Sequence, residues 1–434
     1  MHDLDLTGHW AGLVSVAVFL MAYVLVIFED AIHMRKSMPV MVAAGVIWTL
    51  IGVAYVMAGQ AEAAHAHALQ VIEEYGELFL FLIVAITFVN TMEERRTFEV
   101  LRGWLVGLGL GYRQLFVVTG VIALFMSAVL DNLTTALVMG AVVLALGRDN
   151  PRFVAIGCVS IVVAANAGGA FSPFGDITTL MVWQKGKLGF TAFFALFVPS
   201  LINWAVPAVI MYFAVPDEKP NPHADPVVGK PGMLGVVGLF AITICIAVSF
   251  KNFLNLPPAM GMMLGLGLLQ LWSYYLSQTG AKRSDDDMVL DSFLQVQRVE
   301  WDTLFFFFGI IFAVGGLGVL GYLTLASQLL YTGLGPTSAN ITIGVLSAVV
   351  DNIPLMFAVL TMDPVMSDGQ WLLITLTCGV GGSMLSIGSA AGVALMGQAR
   401  GIYSFTSHLK WAWAVALGYA ASILAHLWIN AALF

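Results

Sequence analysis

Two segments of the chain put an ionisable pair where apolar residues are expected. Ser127-Ala-Val-Leu-Asp-Asn-Leu-Thr-Thr-Ala and Ser347-Ala-Val-Val-Asp-Asn-Ile-Pro-Leu-Met each hold Asp-Asn in the middle of an apolar run. An Asp at the centre of such a run costs roughly 2.5–3.5 kcal/mol on insertion scales, so by default it marks ion or proton chemistry. A second pair of segments repeats alongside. Asn166-Ala-Gly-Gly-Ala-Phe-Ser-Pro-Phe-Gly-Asp-Ile-Thr-Thr aligns with Gly379-Val-Gly-Gly-Ser-Met-Leu-Ser-Ile-Gly-Ser-Ala-Ala-Gly, with Gly168 over Gly381 and Gly175 over Gly388. In that register Asn166 matches Gly379 and Asp176 matches Ser389.

The side chains these segments offer are all oxygen donors. The first pair supplies Asp131, Asn132, Thr134, Thr135, Asn166, Ser172, Asp176, Thr178 and Thr179. The second supplies Ser347, Asp351, Asn352, Ser383, Ser386 and Ser389. Oxygen-only sets suit hard cations, and no Cys or His cluster offers a soft-metal site. Paired glycines and Pro173 inside an apolar run predict an unwound segment, which frees carbonyls for a cation and aims half-helix dipoles at it. The extra carboxylate Asp176 makes the first half the more anionic, so a hard-cation site is expected at Asp131, Asn132, Asn166 and Asp176. Structural roles compete with these. Asp and Asn cap helices well, glycines permit close helix packing, and Ser386 and Ser389 can bond back within a helix.

Weaker features stand apart. Glu77 and Asp302-Thr303 are expected to open the third span of each half, where they would serve an access path or simply wet a helix mouth. His65 and His67 are placed in an outside loop, able to sense pH or merely solvated. Phe305–Phe308 and the 21 methionines read as packing or lipid-facing residues.

The chain that must position these groups is 59% hydrophobic and 10% charged, with mean hydropathy +0.91. Soluble chains carry about 25% charged residues, so this is an all-α polytopic membrane protein. Cys158, Cys245 and Cys378 read as small buried hydrophobes rather than a disulfide framework. No basic patch suggests nucleic acid. The first apolar run, about 10–28, lacks the basic flank of a cleaved signal and is expected to stay as a helix. Further spans are expected at 39–58, 76–92, 190–214, 233–250, 257–277, 301–321 and 408–433, with broken helices at about 152–184 and 370–399. A linker at 215–232, rich in Pro, separates residues 1–214 from 233–434, and an acidic loop follows Ser284.

The run 114–147 is too long for one crossing and marginal for two. A re-entrant hairpin with Asp131-Asn132 at its tip fits, and 338–362 is expected to match it. Such backbone is tolerable only when buried in protein or facing water. Loop charge decides between the alternatives. With both hairpins re-entrant and the termini periplasmic, 15 of the 18 Lys and Arg fall on the cytoplasmic side, leaving Lys185, Lys187 and Lys251 outside. One crossing at 114–147 would split them 9 to 9, against the positive-inside rule. Each half then has five crossings and one hairpin. An odd number inverts the second half, giving inverted repeats with the site near the midplane.

At these residues the chain resembles the NhaD-type sodium/proton antiporters of the ion transporter superfamily, over nearly its whole length. The resemblance rests on the two Asp-Asn hairpins, the Asn-Ala-Gly-Gly-Ala…Gly-Asp-Ile-Thr-Thr break, Asp302-Thr303 and Ser386/Ser389. Dicarboxylate carriers of the superfamily have Ser-Asn-Thr at the hairpin tips; an Asp there repels a dicarboxylate and attracts a cation. The resemblance implies Na⁺ (and Li⁺) exchange for H⁺ across a bacterial inner membrane, serving pH homeostasis, with cation and protons competing for buried carboxylates. It also implies a homodimer and an elevator-like movement, with no cofactor. Asp351 and Asn352 would close the site or relay protons. An anion or oxyanion carrier, for arsenite or a carboxylate, is the alternative. An enzyme is not expected, for want of a triad, a metal-ligand spacing or a large soluble domain.

Overall fold

The computed structural model describes residues 4–27, 29–219, 228–283 and 289–434. The expected acidic loop 284–287 and the middle of the linker, 220–227, lie outside the described residues. Everything regular among the described residues is helix. The first stretch holds α1 (Trp10–Ile27), α2 (Glu29–Ile32), α3 (Ser37–Met57), α4 (Ala61–Glu94) and α5 (Thr97–Gly107). Then come α6 (Tyr112–Ser127), α7 (Asn132–Leu146), α8 (Pro151–Ala170), α9 (Ile177–Gln184) and α10 (Phe197–Tyr212). After the linker follow α11 (Met233–Phe253), α12 (Pro258–Arg283), α13 (Ser292–Gln297), α14 (Trp301–Val319) and α15 (Tyr322–Ser327). The last are α16 (Pro336–Leu346), α17 (Asn352–Met362), α18 (Asp368–Gly381), α19 (Ala390–Gln398), α20 (Phe405–Leu409) and α21 (Ala412–Ile429).

Among the described residues, seven helical stretches are long and apolar enough to cross a bilayer by themselves. The count falls below the ten crossings expected because the apolar part of α1 is slightly shorter, the break at 382–389 leaves α18 and α19 short, and the second half of α12 carries Gln270, Ser273, Ser277 and Gln278. The chain is a multi-pass membrane protein.

The arms α6 and α7 leave and return at one place. The Tyr112 and Phe153 rings lie 4.6 Å apart by centroid, and Gly147, just past α7, abuts Phe153 and Val154. At the other end of the broken helix α8–α9, Lys187 pairs with Asp363 beyond α17 and lies over Trp371. There Gln370 donates to Thr337 near the start of α16, at 2.6 Å. The helix pairs α6–α7 and α16–α17 therefore enter from opposite ends of α8–α9.

The two pairs lock to their broken helices by matching contacts. Ser127 Oγ donates to the Ala165 carbonyl at 2.6 Å, and Ser347 Oγ to the Cys378 carbonyl at 2.8 Å. Gly168 lies so close to the Leu124 carbonyl that an added Cβ would sit 2.1 Å from it, and Gly381 faces the Gly344 carbonyl at 2.0 Å. Gly175 rests on the Ser127 carbonyl and Gly388 on that of Ser347. These glycines do serve close packing, and packing is what brings four helix starts and four helix ends to one point.

The helices form two groups. α1, α3, α4, α11, α12 and α14 pack among themselves, as do α6–α10 with α16–α21, and α14 against α17 is the main join.

Three expectations are corrected. His65 and His67 lie on a helix, because α4 begins at Ala61. The segment Ala61-Glu-Ala-Ala-His-Ala-His-Ala is rich in the strongest helix former, so polarity there marks a wet helix and not a loop. Glu77 consequently sits inside α4 and opens nothing, whereas Asp302 does stand in the first turn of α14. Cys245 is exposed on α11, unlike the buried Cys158 and Cys378.

Candidate cation site

Residues at four helix starts meet at the centre. Asp131, Asp176, Asp351 and Ser389 are the N-caps of α7, α9, α17 and α19. The ends of α6, α8, α16 and α18 arrive beside them. Four positive and four negative dipole ends offset one another, so the charge of the site is set by three carboxylates. None of the three ion-pairs with a Lys or Arg among the described residues.

Asp176 is the hub. It is 3% exposed. Its Oδ1 accepts from the Thr178 N–H at 2.9 Å and the Thr178 hydroxyl at 3.0 Å. Its Oδ2 accepts from the amides of Asn132 at 2.8 Å and Asn352 at 3.0 Å, one from each Asp-Asn pair. Asn132 also donates to Asn166 Oδ1 at 3.1 Å, and Asn166 donates to Ser389 Oγ at 3.0 Å. One hydrogen-bonded network therefore spans both repeated segments. Charge-assisted bonds of this kind run about twice the strength of neutral ones.

The other two carboxylates differ for a reason visible in sequence. Asp131 takes the Thr134 N–H at 2.9 Å and the Thr134 hydroxyl at 2.6 Å. The matching position after Asp351 is Pro354, which has no N–H to give. Asp351 makes no capping bond, and its buried Oδ1 has no partner among the described residues. The Tyr23 hydroxyl of α1 accepts instead from the Asp351 N–H at 3.3 Å.

Asp131, Asn132, Thr134, Asp176, Asp351 and Asn352 line one cavity of about 480 Å³. It extends past Asn90 and Thr303 to Glu93, Glu99, Arg102, Glu300 and Lys36. That end is the one where Arg113 pairs with Asp217 at 2.8 Å. Lys185, which pairs with Glu74, and Lys251, which donates to the Gln184 carbonyl, mark the other end.

The remaining expected site residues separate. Thr179 donates to the carbonyls of Asp176 and Ser172, at 2.6 and 2.9 Å, and so holds the break in shape. Ser172 Oγ accepts the Phe174 N–H. Ser347 is committed to Cys378 as described. Ser386 is buried with its hydroxyl unpartnered among the described residues, and Ser383 bonds the Val380 carbonyl. Thr303 reaches the cavity and bonds Glu300 at 3.2 Å; Asp302 accepts from Ser37 at 2.5 Å. Glu77 lies toward Lys185 and Lys251, away from the cavity. Sequence reading missed Ser127, whose only signal was its match to Ser347, and Tyr23, which has none.

Comparison with known proteins narrows the family. The sequence model described as "Citrate transporter" matches residues 15–379. The Na(+)/H(+) antiporter NhaD of Alkalimonas amylolytica is 53% identical, covering 99% of this chain and 93% of that protein. The Na(+)/H(+) antiporter NhaD of Halomonas elongata is 52% identical, covering 99% and 90%. The chain belongs to the NhaD-type antiporter family. A plant relative, Sodium/proton antiporter 1 of Arabidopsis thaliana, is 31% identical over 95% of this chain and 72% of its own length. In this NhaD-type chain the three carboxylates, without a Lys or Arg partner among the described residues, line one cavity.

Proposed function

We propose that this protein exchanges Na⁺, and Li⁺ with it, for H⁺ across the bacterial inner membrane. That relatives more than 50% identical are Na(+)/H(+) antiporters supports this. The single observation that carries the site reading is Asp176, buried and unpaired, held between the amides of both Asp-Asn pairs. Asn132 and Asn352 present donors to it. Turning each amide about its last torsion would present oxygens instead, and amide orientation is set by the network around it. A bare carboxylate held by two amides and a carboxylate sharing a cation with two amide oxygens then differ by two side-chain rotations. A proton and a cation compete for the same oxygens, and that competition couples the two fluxes.

In this reading Asp176, Asn132, Asn166 and Asn352 form the primary shell, with Thr178 fixing the carboxylate. Asp131 and Asp351 carry the second proton and draw cations along the cavity. Movement of the α6–α10 and α16–α21 group against the other would expose the site alternately, as an elevator built from two inverted repeats. The grouping of helix contacts supports that division. A homodimer fits the same scheme. An anion carrier is disfavoured by the uncompensated carboxylates at the hub.

The test is proton release. Adding NaCl to the purified, weakly buffered protein is expected to acidify the solution, and LiCl likewise. Asp176→Asn should abolish both that release and Na⁺-driven dequenching of a pH dye in everted vesicles. Exchange at wild-type rate in Asp176→Asn would refute the site; transport of citrate or arsenite without cation exchange would refute the function.

A further inference from the structure

His408, outside the network above, is wired to it. It is fully buried on α20, with Tyr403 beside it 1% exposed. His408 Nε2 lies 2.9 Å from the Ser383 carbonyl, and Nδ1 lies 2.7 Å from the Tyr403 hydroxyl. A carbonyl can only accept, so Nε2 carries a proton; in the neutral ring Nδ1 then accepts from Tyr403. Both ring nitrogens are engaged. Ser383 follows the end of α18 and begins the unwound segment that runs to Ser389.

The first half is built differently at this place. In the register that puts Gly168 over Gly381, Ser383 matches Ala170, Tyr403 matches Phe190 and His408 matches Ala195. Phe190 packs edge-on against Phe174 and Trp183, with centroids 6.1 and 5.8 Å away. The first break is backed by aromatic packing. The second, besides the local Ser383–Val380 bond and the contact of Gly388 with Ser347, takes a directional bond from His408, itself oriented by Tyr403.

The two breaks also differ at their far ends. The first ends at Asp176, which four donors hold. The second ends at Ser389, whose hydroxyl accepts only a 3.4 Å contact from the Gly392 N–H and the Asn166 amide. Asn166 in turn fixes Asn132, which donates to Asp176. We infer that His408 is a positioning residue for the cation site. Through Ser383 it sets the course of the 383–389 segment, hence the place of Ser389, hence the orientation of the Asn166 and Asn132 amides around Asp176. The inference rests on the exchange reading above.

The experiment measures dye dequenching against Na⁺ concentration in proteoliposomes holding the full chain. His408→Phe removes both bonds and is expected to raise the apparent KM for Na⁺ about tenfold, the size of one lost bond to a buried group. The maximal rate should stay within about twofold, because no charged group is touched. His408→Gln keeps a donor for Ser383 and an acceptor for Tyr403, and should restore the wild-type KM. Tyr403→Phe, which leaves the ring but frees its tilt, should raise KM by about threefold. It carries the test if His408→Phe does not fold. An active wild type with KM unchanged in these variants overturns the role of His408 alone. An inactive wild type overturns the exchange reading, and this inference with it. A loss of maximal rate at unchanged KM would mean that His408 merely supports the fold.

Discussion

At the residue scale the three carboxylates are not equivalent, and their neighbours say why. Asp176 receives four donors and no Lys or Arg partner among the described residues; in the exchange reading a mobile ion balances its charge. If proton and Na⁺ share its oxygens, the apparent KM for Na⁺ should fall as pH rises, by up to about tenfold per pH unit per proton displaced. A KM independent of pH in a transport assay would contradict shared oxygens. Asp131 combines two roles that one substitution can separate. Asn caps helices as well as Asp does, so Asp131→Asn should leave the unfolding temperature nearly unchanged while reducing exchange and proton release. Retained exchange would assign Asp131 to capping only.

At the element scale the site exists because half-helices start and stop together. That requires backbone contact at Gly168, Gly175, Gly381 and Gly388. An added Cβ at Gly381 would meet the Gly344 carbonyl at 2.0 Å, a clash that backbone, unlike a flexible side chain, relieves only by moving. Gly381→Ala is expected to destabilise by about 1–3 kcal/mol, seen as a lower unfolding temperature in detergent; an unchanged value would mean α16 and α18 separate freely. Pro354 is the opposite case. Pro354→Thr would recreate the Thr134 arrangement and give Asp351 a capping donor. It should stabilise the protein by about 1 kcal/mol and slow exchange by occupying the carboxylate. Faster exchange would show that an unpartnered Asp351 is a hindrance.

At the scale of the molecule, the cavity joins Asp176 to the end that holds Arg102 and Arg113. If that end is cytoplasmic, as loop charge implies, Asn90→Cys and Thr303→Cys should react with an impermeant maleimide only from the cytoplasmic side. A Cys at Lys187 should react only from the other. Cys245 must be replaced first, since it is exposed. Labelling of Asn90→Cys from the periplasm alone would reverse the orientation.

Composition and pattern determined the membrane class, the family and the places where helices start, since carboxylates in apolar runs and paired glycines act through local physics: desolvation cost and backbone freedom. Those signals marked Asp131, Asp176, Asp351 and Ser389, all of which are helix N-caps. Local reading failed where polarity and helicity coincide, as at Ala61–Glu77, because a wet helix and a loop share a composition. It also failed to rank the donors. Which amide turns toward Asp176, that Ser347 is spent on Cys378, that Tyr23 meets Asp351 and that His408 meets Ser383 were decided only by tertiary structure. Each depends on contacts between residues far apart in the chain, and hydrogen-bond partners are chosen by distance and angle after packing, which no spacing along the sequence encodes.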